Sequence, residues 1–252
     1  ITTGSLESGD TLSGSLSRIT GENVGDYAIS STLANANYAI TFVADKLSIT
    51  QKALTITADA KFKVYGEVDP SLTYEITTGS LESGDTLSGS LSRAIGENVG
   101  TYAITSSLAN ANYDITFVSV NLSITKKAVT ITADAKSKVY GETDPTLTYQ
   151  ITTGSLETDD VLTGSLSRAI GETVGDYAIS STLANANYTI TFIADKLSIT
   201  KKAITITADS KAKVYGETDP TLTYQITTGS LETGDVLTGS LSRATGETVG
   251  DY

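Results

Sequence analysis

The stretch Leu122-Ser123-Ile124-Thr125-Lys126-Lys127-Ala128-Val129-Thr130-Ile131-Thr132-Ala133-Asp134 sets two β segments end to end. Val129, Ile131 and Ala133 alternate with Thr130 and Thr132, the period-two pattern of a half-buried strand. The β-branched residues suit a pleated surface, where their stiff side chains pack well. Only Lys126, Lys127 and Ala128 separate this strand from 122–125. No Gly, Pro or Ser run intervenes, so a flexible linker is excluded here. The same stretch recurs at 47–59 and 197–209.

The recurrence extends to the whole chain. ITTGSLE begins at Ile1, Ile76, Ile151 and Ile226, a period of 75 residues without insertion, and residues 1–50 differ from 151–200 at only nine positions. Self-similarity of this length marks a repeat architecture. The junctions fall at Gln51-Lys52, Lys126-Lys127 and Lys201-Lys202. Complete modules are therefore expected at 52–126 and 127–201, with a truncated repeat at 1–51 and another at 202–252. The chain opens at Ile1, inside a repeat, so the missing leader carries no information about export, and a segment cut from a longer array is expected.

Within the module that starts at Lys52, strands are predicted over 54–58, 63–67, 72–76, 89–93, 100–106, 113–118 and 122–125. Asp69-Pro70 makes a turn, because proline fixes φ and removes a ladder donor. Gly79–Leu87 is the one stretch suited to a helical turn, with Ser80 as N-cap and Gly84 ending it. The internal copies test the facing. Leu54, Val129 and Ile204 share a core position, whereas Ala39, Asp114 and Thr189 share a solvent position.

Composition limits the chemistry. Hydrophobic residues make up 39% and charged residues 18%, enough apolar content for a core. Cys, His, Met and Trp are absent, which removes the disulfide framework, the common general base near neutral pH, and the preferred zinc and copper ligands. A net charge of −12 repels phosphate backbones, so nucleic acid is not an expected partner. No apolar run reaches the ~18–20 residues that span a bilayer. Identical copies without a convergent polar constellation give catalysis no starting point, so no enzyme is expected.

Val64-Tyr65-Gly66-Glu67, Asp69-Pro70, Leu72-Thr73-Tyr74, Gly84-Asp85-Thr86-Leu87-Ser88-Gly89, the run 96–104 (GENVGTYAI) and Asn112-Tyr113-Asp114-Ile115-Thr116-Phe117 follow one another in that order. Together they resemble the MBG repeats (YGX type) of large bacterial surface adhesins and filamentous-haemagglutinin-like proteins. The resemblance covers essentially the whole chain. It implies all-β or mostly β modules, small and β-grasp-like, arrayed in an elongated rod outside the cell, with immunoglobulin-like sandwich modules as the alternative. It implies a stalk, and it hands over no catalytic residue.

Each candidate site has a plainer reading beside it. Asp59, Glu67, Asp69, Glu82 and Asp85 are loop carboxylates of the kind that bind Ca²⁺, yet no calcium-loop motif contains them, and solvated charges are expected. Tyr65, Tyr74, Tyr102 and Tyr113 could stack on sugars, but Tyr74 and Tyr113 keep phase with core aliphatics and are expected to pack inward. Phe62 is Ser137 and Ala212 in the other copies, which marks an exposed position. Thr55 and Thr57 are too sparse for an ice-binding rank. Lys61 and Lys63 could join an acidic partner and an Asn in an intramolecular isopeptide bond, although no signature selects such a trio and solvated strand charges are expected. Asn121-Leu122-Ser123 is a chance sequon in a bacterial chain. No catalytic, cofactor-binding or metal-binding residue is assigned.

The expected function is a stalk or fibre segment at the bacterial cell surface. Neighbouring repeats are its first partners, with lateral self-association or host glycans beyond them. The alternative is a multivalent array that grips glycan or matrix weakly at each module. If the first and last strands of a module pair in parallel, its termini leave at opposite ends, with an advance of about 35–45 Å per repeat.

Overall fold

The computed structural model describes residues 1–252 and is built of strands and turns without a helix. It divides into two compact units, Ile1–Lys127 and Ala128–Tyr252.

The first unit holds a pair of long strands between residues 52 and 125. The opening strand of the pair, Lys52–Ala58, bends at Asp59-Ala60 and resumes as Lys61–Val64. The closing one does the same, Tyr113–Val118 bending at Ser119-Val120 into Asn121–Thr125. These two bent strands lie side by side in parallel. Lys52 pairs with Tyr113 and Thr57 with Val118; beyond the bend Lys61 pairs with Leu122 and Val64 with Thr125. The same register therefore survives the kink. Before the bend, Tyr74–Thr78 flanks the opening strand antiparallel. After it, Gly100–Ser106 flanks the closing strand, and Leu91–Arg93 follows at the edge. Two small sheets thus share one pair of long strands.

Alternation places the core as the sequence implies. Leu54, Ile56 and Ala58 are buried on the opening strand, and Leu122 and Ile124 on the closing one. Tyr113 joins Leu54 and Ile56, with Leu81, Leu87, Leu108, Ile115 and Phe117 packed around them. Asp114 and Thr189 face solvent, and Phe62 is exposed.

Three local readings change. Residues 79–87 form a turn, not helix: Asp85 N–H donates to the Glu82 carbonyl at 3.0 Å, and Gly84 takes φ +91°, a left-handed conformation that a helix cannot continue through. The β-grasp-like pairing is consequently assembled without its helix. Tyr74 is 37% exposed instead of core, because its strand lies at the sheet edge beside Ala58. Lys63 is buried, for reasons given below.

The second unit repeats the plan over 128–201. Lys136–Val139 runs parallel to Lys196–Thr200, and Lys127–Ala133 lies between Tyr149–Thr153 and Tyr188–Ile193. Residues 1–51 and 202–252 hold fewer paired strands. In 1–51 only Leu16–Arg18, Gly25–Ser31 and Lys46–Ile49 pair. Residues 38–43 are not a strand there, and Leu47 is 43% exposed where Leu122 is fully buried. In 202–252, Thr205–Ala208 pairs with Tyr224–Thr228 alone.

Candidate functional site

Two features of each complete repeat bear on function: the parallel ladder and a charged clasp at its C-terminal end. The ladder is closed by main-chain hydrogen bonds at both ends. Lys52 N–H donates to the Asn112 carbonyl at 3.0 Å, and Tyr65 N–H donates to the Thr125 carbonyl at 2.9 Å. Residue 52 enters beside residue 113, and residue 125 leaves beside residue 64. Twelve residue steps at about 3.3 Å give the bent ladder a contour of roughly 40 Å. Tension applied at 52 and 125 pulls parallel neighbours past each other. The ladder bonds on both sides of the bend then resist in shear together, instead of opening one at a time.

The clasp is built around Lys63. The alternation of 61–64 turns its side chain inward, under the loop that follows Tyr65-Gly66, and leaves it 3% exposed. An unpaired ammonium there would cost several kcal/mol, so it must be neutralised. Asp69 Oδ1 lies 2.8 Å from Nζ and Glu97 Oε2 lies 2.6 Å away, while Nζ also donates to the Glu67 carbonyl at 3.0 Å. Arg93 grips the same two carboxylates. Its Nε and Nη2 donate to Asp69 at 2.5 and 3.0 Å, Nη2 also pairs with Glu97, and Nη1 donates to the Ala94 and Gly96 carbonyls. The guanidinium stacks 5.2 Å above the Tyr102 ring, whose hydroxyl donates to the Asn98 carbonyl. Gly96 is required beside that ring: φ is +149°, and an added Cβ would sit 2.3 Å from Tyr102 Cε1.

The ionisation pattern follows from these contacts. Arg93 first and Lys63 second hold the Asp69 carboxyl down at about 2. Lys63 and then Arg93 lower Glu97. Burial opposes the charge on Lys63, but Asp69 and Glu97 outweigh it and raise its pKa. The Lys63 ammonium and the Asp69 and Glu97 carboxylates are each held in their charged form. Attack by Lys63 on a carboxyl carbon needs a neutral amine and a protonated acid, and the clasp stabilises the opposite form of each. It is an ionic brace, tying the end of the opening strand to the 65–72 loop and to the Leu91–Arg93 edge.

The brace recurs. Lys138 lies 2.7 Å from Asp144 and 2.5 Å from Glu172, Arg168 bridges both, and Asp144 is likewise held at about 2, chiefly by Arg168 and then by Lys138. Lys213, Asp219, Arg243 and Glu247 form it again, with both cations 21% exposed. In 1–51 the arginine half is present: Arg18 pairs with Glu22, donates to the Ile19 and Gly21 carbonyls and stacks on Tyr27.

The MBG domain (YGX type) family matches residues 1–48, 54–123, 129–198 and 204–252. The chain belongs to that family. No curated protein matches it. MBG domains are structural repeats and not an enzyme family, and no helix here is long and apolar enough to cross a membrane.

The loop carboxylates of this MBG repeat do not converge. Glu82 pairs with Lys52, Asp85 accepts from the Tyr113 hydroxyl, Asp59 accepts from Thr73, and Glu67 accepts from Val64 N–H. Asp69 alone joins a cluster, and its partners there are cations. Tyr102 and Tyr113 are both used internally, and Thr57 meets Thr77 across the sheet at 3.0 Å. Lys61 lies beside Asp59, while Lys63 is the buried centre of the clasp and not a solvated charge. The sequence did carry a signal for it: the chain's only arginines are Arg18, Arg93, Arg168 and Arg243, one per repeat. Each stands four residues before a Glu.

Proposed function

We propose that this chain is a spacer segment of a bacterial surface adhesin, carrying a distal binding region outward and bearing tension along its length. The observation that supports this reading is the parallel pairing of the first and last strands of a repeat, which puts entry and exit at opposite ends of one hydrogen-bonded ladder. A single residue, Lys126, separates the strand that ends at Thr125 from the one that begins at Lys127. Such a junction adds reach without slack, which a stalk needs and a flexible tether lacks. The surface location follows from the same reading of the family.

The test is to add or delete one 75-residue repeat in the surface-displayed protein and measure the height of a distal tag above the cell. A change of about 35–45 Å per repeat is expected from the strand rise. A height independent of repeat number would refute the spacer. Saturable binding of a glycan by the chain itself, abolished by substituting an exposed tyrosine, would favour the multivalent array instead.

A further inference from the structure

We propose that the Tyr-Gly pair of the YGX signature is the docking face for the next repeat, so that each signature braces its successor. The partner is the Leu-Glu-x-x-Asp turn of the following repeat. This inference stands whether or not the array carries tension.

The junction after residue 201 supplies the geometry. The Tyr140 hydroxyl donates to Asp235 Oδ1 at 3.1 Å, across 95 positions of sequence. Gly141 has φ +89°, and a Cβ added there would meet Glu232 Oε1 at 2.2 Å and Cδ at 2.4 Å. Glu232 is itself held by Lys202, 2.5 Å from its carboxylate. The left-handed loop requires the glycine, and a side chain there would push the end of Glu232 away.

Internal comparisons show that the contact belongs to the junction. The Lys52–Glu82 pair is the counterpart of Lys202–Glu232, but the repeat before it, 1–51, contains no Tyr-Gly segment. Glu82 is 71% exposed and Glu232 only 35%. KVYGETDP stands identically at 138–145 and 213–220, yet a Cβ at Gly216 would meet nothing within 4 Å. The same aspartate position accepts from a tyrosine in each repeat. Asp10, Asp85 and Asp160 each receive the tyrosine of their own repeat, Tyr38, Tyr113 or Tyr188, on Oδ2. Tyr140 comes to Asp235 on Oδ1, the oxygen those tyrosines do not use.

The junction at 51/52 shows contacts running the other way. Asn112 accepts from Val24 N–H at 3.0 Å and donates to Asn23 Oδ1 at 3.0 Å, reaching back to the loop of the preceding repeat. Gln51 donates to the carbonyls of Ala111 and Tyr113.

Hydrogen exchange on the whole chain tests the proposal. Y140F and D235N should each speed exchange at Thr205–Ala208 and Tyr224–Thr228 by about threefold to tenfold, the effect of one lost hydrogen bond. The double variant should add little to either, and Lys196–Thr200 should keep its protection. Y215F should leave all of these strands unchanged. G141A and G216A carry the same left-handed strain, and only G141A should disturb Tyr224–Thr228. Unchanged exchange there in Y140F and D235N would overturn the proposal. Equal acceleration within 127–201 would also overturn it, because Tyr140 would then be serving its own repeat.

Discussion

Ile131→Ala should destabilise one complete repeat by about 3–4 kcal/mol, whereas Ile206→Ala, at the same position of the last repeat, should cost only about 1. Ile131 is fully buried and Ile206 is 44% exposed. Three carbons at ~0.8 kcal/mol each give about 2.4 kcal/mol for transfer, and a residual cavity under the ladder adds about 1 more. At Ile206 roughly half of that transfer is already forgone, and its strand is paired on one side, with Tyr224–Thr228. A 75-residue repeat has only about 4–11 kcal/mol in total, so the first loss is a large share and the second is not. Urea unfolding of the chain followed by far-UV circular dichroism reads the difference. With a slope of about 1 kcal/mol per M, Ile131→Ala should draw one repeat's transition down by roughly 3 M and split the curve, leaving the 52–126 transition in place. Equal effects of the two substitutions would refute the claim that the parallel closing strand completes the core.

Two further outcomes follow from the clasp. Asp69 and Asp144 have folded pKa values depressed to about 2, so their contribution is complete above the unfolded value near 4 and is lost as pH falls through about 2. The double variant D69N/D144N should be less stable at pH 7 and should lose much less stability between pH 4 and 2. Comparing it with the parent cancels the opposing relief of self-repulsion in this acidic chain. The intact mass should equal that of the sequence, since Arg93 and Arg168 keep the carboxylates ionised; a deficit of one water per repeat would show that amide bonds form.

The architecture was largely legible because it rests on patterns the backbone enforces. Val129, Ile131 and Ala133 alternate with threonines, and the parallel pairing that Lys52–Val64 makes with Tyr113–Thr125 is the one expected if the module is β-grasp-like. What escaped depends on partners distant in sequence. YAITFV at 38–43 and YDITFV at 113–118 read alike, but only the second has an opening strand beside it, and only the second is a strand. Tyr74 fits the core phase and is nonetheless left half-covered by its edge position. Lys63 appeared as a surface charge because Asp69, Arg93 and Glu97 reach it from two later loops. The sole arginine of each repeat was visible, but a single charged residue in a sequence does not show what it faces. The turn at 79–87 was misjudged because one capped turn of helix and one β-turn ask for nearly the same residues, and Gly84 decides between them through φ.

Single-molecule stretching of the whole chain tests the shear ladder most directly. Two complete repeats should give two discrete rupture events, each releasing about 210–230 Å: some 75 residues at up to 3.6 Å, less the roughly 40 Å contour of the folded ladder. Variants that cut the ladder, such as proline at Thr55 or Ser123, should lower the rupture force in the repeat they occupy. Gradual low-force extension without discrete events would contradict the account.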